Sequence, residues 1–159
     1  MSVSPKHHSV LLENVFNLMQ QRIVGRESEH LIDFTNHLFS TVSSRDLEGR
    51  SESDIYGACL SLWRQFESYD SSRPLVDVFN PNVSRHGWRS SQTIITICVK
   101  DMPFLVDSVR MTLQRLGISS HLFLHIPLAV RRDESYQVTH VESLASAQDD
   151  IEANTVFLI

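Results

Sequence analysis

The sequence contains few glycines, few cysteines and no long hydrophobic run. Its five glycines are never closer together than eight residues, so neither a G-x-G-x-x-G loop nor a P-loop can be written. Two cysteines exclude a disulfide framework and favour a reducing compartment. The longest apolar run, residues 122–130, is interrupted by His125 and Pro127, and residues 1–20 lack a secretory apolar stretch. We therefore predict a soluble, cytoplasmic protein.

Positive charge is also scarce. The chain has 14 Lys and Arg against 19 Asp and Glu, a formal charge of -5, so it lacks the field that sequence-independent nucleic-acid binding needs. We expect neither a nucleic acid nor a membrane as a partner. With 159 residues and 42% hydrophobic side chains, the chain is long enough for one globular domain or for one domain with a small appendage.

Residues 1–70 have the periodicity of a helical segment. Apolar side chains spaced about 3.6 residues apart predict a first helix that ends near Gly25, a second that Ser28 caps, and a third that Ser51 caps. The third has the broadest apolar stripe, formed by Ile55, Ala58, Cys59, Leu62, Trp63 and Phe66.

After Pro74 the pattern changes to alternation. Residues 75–79 and 92–100 are predicted strands, and the second is expected to pack mainly on one face. Asp101 is the predicted N-cap of a helix over 103–116, with Pro103 in its first turn and Gly117 at its end.

The remaining residues predict strands over 118–130 and 155–159, separated by a polar loop or insert over 133–154. Strand, helix, strand, strand is the first part of a βαββαβ ferredoxin-like sandwich. The fold class is thus predicted as α+β, with a helical segment over 1–70 and a truncated sandwich domain over 71–159. We expect the chain to be cut artificially at Ile159, with the last helix and strand beyond it.

No catalytic, cofactor-binding or metal site is predicted. His121 and His125 would lie about 13 Å apart along a strand, too far to share a metal ion. Cys59 and Cys98 lie in apolar patterns, where burial makes a thiol unreactive. A Ser-based triad has no supporting G-x-S-x-G motif.

The junction between strand 92–100 and the following helix is the most distinctive segment. Free N–H groups at a helix start attract carboxylates, so an effector site is possible there, although Asp101 alone can also satisfy these donors. The candidate effector-binding residues are Asp101, Met102, Pro103, Phe104 and Asp107. Alternation around Phe123 also predicts an apolar contact on a second face of the strand, between domains or subunits, with His121, Phe123 and His125 as interface residues.

Three segments resemble the N-terminal region of the large bacterial NAD-specific glutamate dehydrogenases. They are DIYGACLSLWRQ (54–65), VFNPNVSRHGWRSSQTIITICVKDMPFLVDSVRMTLQRLGI (78–118) and HLFLHIPLAVRRD (121–133). The resemblance implies an ACT-type regulatory module far upstream of the dehydrogenase domain. It further implies that the parent enzyme oxidises L-glutamate to 2-oxoglutarate and ammonia with NAD, whereas this chain holds no cofactor.

The resemblance has one departure that bears on binding. ACT modules that bind amino acids usually carry glycine after the proline of the first strand-to-helix loop, and this chain has Phe104 there. Two mechanisms stay open, an amino-acid sensor at residues 101–107 and a structural module that contacts the rest of the parent chain or self-associates through its sheet. A third reading is a freestanding α+β interaction or amino-acid-binding domain.

Overall fold

The computed structural model describes residues 5–40, 42–43, 46–144 and 152–159. Three helices precede a mainly β region, which confirms the predicted α+β class. The elements, in chain order, are α1 (Pro5–Arg22), α2 (Arg26–Phe39), α3 (Glu52–Glu67), β1 (Leu75–Phe79), α4 (Val83–His86), β2 (Ile94–Lys100), α5 (Leu105–Arg115), β3 (Leu124–Arg132), β4 (Val138–Ser143) and β5 (Glu152–Leu158).

The helix starts follow the predicted caps in one of three cases, Ser51; the cap predicted for α5 is treated with the site below. Ser51 caps α3 as predicted, because its side chain accepts a hydrogen bond of 3.1 Å from the Asp54 backbone N–H. The prediction that Ser28 caps α2 is wrong. Gly25, at a φ of 85°, precedes the helix directly, so α2 begins at Arg26 and Ser28 is buried within its first turn.

The sheet contains a split β-α-β unit. Its strand order is β1-β2-β5-β3-β4, and all neighbouring strands are antiparallel. Strands β2 and β3 are therefore parallel to each other, α5 connects them, and β5 lies between them. This arrangement confirms the partial ferredoxin-like sandwich that the spacing predicts.

The outer side of β2 is occupied by β1, whose Val76 and Val78 lie opposite Ile97 and Ile95. In a complete βαββαβ sandwich this edge receives the last strand. Here the edge is filled by a strand from upstream of the split unit.

The C-terminal part of the sheet differs from the sequence prediction. The predicted strand 118–130 begins only at Leu124, and the predicted loop over 133–154 contains all of β4 and the start of β5; its residues 145–151 lie outside the described chain. Strand β4 forms despite its polar composition because Val138 and Val141 are buried and because Val130 of β3 pairs with Val141. A register shift after Arg131 lets β3 follow this strand.

Helices cover both faces of the sheet. On one face α1, α2 and α3 form a core with alternate sheet residues, in which the rings of Phe34 and Trp63 meet edge to face at 5.3 Å. On the other face α5 covers a smaller cluster around Val99, Phe157 and Leu113. Strand β2 contacts both clusters unevenly, because Ile94 and Cys98 are buried on the side of the three helices, whereas Ile95 and Ile97 are only half-buried on the α5 side. The division at residue 70 stays a prediction.

None of the described helices is both long and apolar enough to cross a membrane.

Candidate functional site

The junction between β2 and α5 is held by β5 and not by a helix cap. Asp101 was the predicted N-cap of α5, but that prediction is wrong, because the helix begins at Leu105 and Phe104 occupies the cap position. The Asp101 backbone N–H donates to the Ala153 carbonyl at 3.0 Å, and its carboxylate accepts a hydrogen bond of 2.5 Å from the hydroxyl of buried Thr155. Asp101 therefore extends the pairing of β2 with β5 and anchors the start of the loop.

Phe104 has an unusual backbone and an unusual exposure. Its φ of 66° and ψ of 12° are left-handed, and its side chain makes no cap hydrogen bond. A bulky residue in this conformation costs about 1–3 kcal/mol. Phe104 is 78% exposed and Met102 is 50% exposed, so neither side chain gains much from burial in this chain. The loop exposes two large apolar side chains, and the left-handed backbone of Phe104 costs conformational energy.

The other predicted effector residues lie beside this pair. Pro103 is exposed in the turn before α5, and Asp107 is exposed in the first turn of the helix. Together with Met102 and Phe104 they form one outward-facing surface. We call residues 101–107, which are the turn after β2 and the first turn of α5, the β2–α5 loop.

Behind the β2–α5 loop, α5 covers two of the predicted interface residues. The Arg110 guanidinium lies 4.5 Å from the centre of the Phe123 ring, and Phe157 meets Phe123 edge to face at 5.9 Å. The His125 ring is 5.1 Å from Phe157. The second face of β3 thus meets α5 of the same chain. His121 is exposed and precedes β3, and self-association through these residues stays a prediction.

The same cluster places charges around His125. Burial lowers the pKa of the His125 imidazole, Asp101 partly opposes this change, and Arg110 lowers the pKa further. Asp101 and His125, which were predicted as members of two separate sites, are therefore close enough to interact.

Sequence reasoning missed Arg110 and Thr155. The helical spacing of Val106, Arg110 and Leu113 was a usable signal for Arg110, because Val106 and Leu113 both belong to the cluster under α5. No local pattern pointed to Thr155, whose partner Asp101 is 54 residues away in the chain.

A cleft of about 1130 Å³ opens at the opposite end of the sheet. Its floor includes Ile55, Ile94, Leu124 and Leu158, and its lining also includes Arg50, Arg89 and His121. None of its lining residues belongs to the β2–α5 loop. The mixed charges of Arg50, Arg89, Asp46, Glu48 and Asp54 around the cleft favour no ligand class.

The described residues include no group of three His, Cys, Asp or Glu side chains that could hold a metal ion. Cys59 and Cys98 are both buried and unpaired with each other. Burial raises the pKa of each thiol from an ordinary value of 9.0 to about 12. At neutral pH both thiols are protonated, and the burial expected from the apolar patterns is confirmed, whereas their lack of reactivity stays a prediction.

We expect neither thiol to react with a disulfide reagent at pH 8 in the native state and both to react in urea. Because an unfolded thiol ionises near 9.0 and the folded ones near 12, folding stability is expected to fall as the pH rises above about 9. Absorbance during reaction with an aromatic disulfide checks the first point, and urea titrations at pH 8 and 10 check the second. Rapid labelling of either native thiol would contradict the prediction.

The fold and its loop define a class. A split β-α-β unit is the arrangement of ferredoxin-like α+β domains, and the fold is consistent with an ACT-like domain. Residues 34–159 match the family described as "Glutamate dehydrogenase, ACT1 domain". The chain belongs to this family.

Two curated relatives are similar over most of the chain. An NAD-specific glutamate dehydrogenase of Halomonas elongata is 37% identical over 133 residues, which cover 84% of this chain and 8% of the relative. An NAD-specific glutamate dehydrogenase of Pseudomonas aeruginosa is 36% identical over 126 residues, which cover 79% of this chain and 8% of the relative. No solved structure matches the chain.

Proposed function

We propose that this chain is a non-catalytic regulatory and assembly region of an NAD-specific glutamate dehydrogenase that acts in the cytoplasm. The parent enzyme would oxidise L-glutamate to 2-oxoglutarate and ammonia, and its NAD would bind elsewhere in the longer polypeptide. Membership of the ACT1 family and the names of both relatives support the enzymatic context. The exposed Phe104 in a left-handed conformation is the observation that supports a contact role.

The β2–α5 loop is suited to a contact with a protein surface. Asp101 ties its beginning to Thr155 of β5, and α5 fixes its end, so the loop would lose little conformational freedom on binding. Phe104 and Met102 would bury their exposed side chains against another part of the enzyme. Exposed aromatic side chains on rigid supports are typical centres of interface energy.

An amino-acid effector is the less favoured regulatory signal at this loop. A ligand that approaches the backbone needs an open position, and Phe104 carries a bulky ring where glycine would leave space. We therefore favour a role of the loop in assembly over direct binding of an amino acid. An effector would bind there only if another surface, docked on the loop, completed the site.

The substitution Phe104→Gly is expected to affect folding stability and assembly differently. Glycine adopts the left-handed conformation without strain, so the melting temperature of the full-length enzyme's N-terminal region should stay the same or rise. Loss of the ring should weaken assembly or the effector response about tenfold or more. Differential scanning calorimetry reports the first quantity, and sedimentation together with effector titrations reports the second.

Tyr136→Gly is the matched control. Tyr136 also has a positive φ, 62°, and is 63% exposed, but it lies in the turn between β3 and β4. This variant should relieve a similar strain without changing assembly. If Phe104→Gly leaves both assembly and effector response as they are in the Tyr136→Gly control, the loop has no contact role.

A further inference from the structure

Helix α5 has an outer face that the rest of the described chain leaves exposed. Its inner side packs on the sheet through Val109 and Leu113. Because successive residues of an α-helix lie about 100° apart, Met111 points away from that side, and 60% of it is exposed. Asp107 and Arg115 lie about one turn before and one turn after Met111, and both are exposed. We call Asp107, Met111 and Arg115 the outer face of α5.

The charges of this face are arranged symmetrically about Met111. Asp107 lies in the first turn of α5 and Arg115 in the last turn. Each is about 6 Å from Met111 along the helix axis, because the rise is about 1.5 Å per residue. A second α5 that runs antiparallel, with a two-fold axis at Met111, would therefore place Asp107 of each copy at the level of Arg115 of the other. A parallel pair would place like charges at the same level, which is unfavourable.

The exposed apolar side chains at the two ends of α5 match in the same antiparallel arrangement. Phe104, just before the helix, is 78% exposed. Leu116 and Ile118, just after the helix, are 66% and 45% exposed. A hydrogen bond of 2.9 Å from the Ile118 backbone N–H to the Leu113 carbonyl holds Ile118 at the last turn. Each Phe104 would thus lie at the level of an apolar helix end of the other copy, where both surfaces lose contact with water.

The remaining charged residue of α5 does not disturb this match. Arg110 lies about 100° around the helix from Met111, and its guanidinium is 4.5 Å from the centre of the Phe123 ring. Its charge is therefore directed to the sheet of its own chain. The outer face keeps one acid and one base, which is the simplest self-complementary set.

We propose that the outer face of α5 packs against the same face of a second copy of the chain, antiparallel about a two-fold axis at Met111. The two Met111 side chains would meet at the centre, and two pairs of Asp107 with Arg115 would flank them. Phe104 would pack at each end. A two-fold interface of this kind uses one surface patch on both copies. The inference rests on the proposed function, because it names a second copy as the partner of the β2–α5 loop.

The contact is short, and this decides how it is tested. With 11 residues α5 is about 16 Å long, so a pair of these helices is small beside the roughly 1,200–2,000 Å² of a stable interface. The pair would form where other contacts of the oligomer hold two copies close together. The experiments therefore use the full-length enzyme.

The first test is a disulfide across the two-fold axis. In the full-length enzyme with Met111→Cys, mild oxidation should link two copies, because residues on the axis face each other at a distance that a disulfide spans. Thr112→Cys is the matched control, since Thr112 is exposed but points about 100° away. It should give about tenfold less linked dimer, measured by non-reducing electrophoresis and peptide mapping. Equal linkage in the two variants would overturn the proposal.

The second test reverses the charges in the Met111→Cys background. Asp107→Arg alone and Arg115→Asp alone each bring like charges together, and each should lower the yield of linked dimer about tenfold. When the two reversed chains are co-expressed with different tags, they are complementary again and should link to each other as well as Met111→Cys does. Arg131→Asp, at an exposed arginine of β3, should leave the yield unchanged.

The co-expressed pair also separates the contact from helix stability. Each reversed chain keeps its unfavourable helix-end charge in the mixture, so recovery of linkage cannot come from a more stable α5. If the mixed chains link no better than either reversed chain alone, the antiparallel pairing is wrong.

This inference and the proposed function can fail separately. If Phe104→Gly weakens assembly but Met111→Cys gives no linked dimer, the loop contacts another part of the enzyme and the pairing is wrong. If the dimer forms but Phe104→Gly changes neither assembly nor effector response, the pairing stands and the regulatory contact of the loop is wrong.

Discussion

Replacing Gly57 by alanine is expected to destabilise the chain by about 2 kcal/mol, although the same change stabilises an isolated helix by about 1 kcal/mol. Gly57 lies in α3 against the buried ring of Trp88. A Cβ added at Gly57 would lie 2.6 Å from the Trp88 Cβ and nearer still to its indole Cγ. The ring would have to move to accommodate it.

Hydrogen bonds oppose that movement. The Trp88 indole N–H donates to the Ser61 hydroxyl at 3.1 Å, and this hydroxyl donates to the Gly57 carbonyl at 2.8 Å. Displacement of the ring would therefore break a half-buried hydrogen bond as well as the packing.

Urea unfolding measures the loss in Gly57→Ala. Ser53→Ala, at an exposed position of the same helix, is the matched control and should change the free energy of unfolding by less than about 0.5 kcal/mol. In the double variant Gly57→Ala/Trp88→Leu the indole ring is replaced by a smaller side chain. Its free energy of unfolding should therefore be higher than the sum of the two single changes predicts. Equal or greater stability of Gly57→Ala would show that Trp88 does not fill this space.

Arg132→Ala is expected to cost about 2–4 kcal/mol, because Arg132 joins the sheet to the end of α3. The guanidinium donates to the Phe66 and Glu67 carbonyls at 2.9 and 3.0 Å and to the Tyr136 carbonyl at 3.0 Å. It also lies 5.5 Å from the centre of the Phe66 ring. Burial lowers the pKa of this group, and the acidic Glu152 opposes the change.

The cost arises mainly from the carbonyl groups left behind. The last carbonyls of a helix have no partner within the helix, and a cation at that end also interacts favourably with the helix dipole. Alanine removes both interactions and takes the guanidinium donors away from the half-buried Phe66 and Glu67 carbonyls, of which Phe66 keeps the Tyr69 backbone N–H.

Thermal and urea unfolding of two further variants separate this effect from a general loss of charge. Arg131→Ala removes the adjacent exposed arginine and should cost less than about 0.5 kcal/mol. Arg132→Lys keeps the charge but not the planar set of donors, and its stability should lie between wild type and alanine. The bridging role would be disproved if Arg132→Ala and Arg131→Ala had the same stability.

Elements with strong periodicity were predictable. The broad stripe of α3 and its Ser51 cap, the alternation of β2 and the order of the split unit all follow from local spacing. Strand β4 was not predictable in this way, since it has only Val138 and Val141 as buried apolar residues and is stabilised by pairing with β3.

The location of the candidate site was also predictable, whereas the role of one of its residues was not. The segment containing Asp101, Phe104 and Asp107 was located from the change of periodicity, but the role of Asp101 was wrong. A carboxylate before a helix usually caps it, whereas here a hydroxyl from β5 reaches Asp101 and the helix starts later. Whether Asp101 caps the helix or binds Thr155 depends on β5, a strand that is distant in sequence.

The sequence by itself determined the fold class, the periodic elements, the absence of a glycine-rich nucleotide loop and the likeness to a dehydrogenase family. Each of these depends on residue types and spacings within one segment. Only the tertiary structure decided that β1 fills the outer edge, that Trp88 excludes a side chain at Gly57 and that Arg132 binds the end of α3. These features require residues far apart in the chain to meet, and their energies come from packing and desolvation at the meeting point.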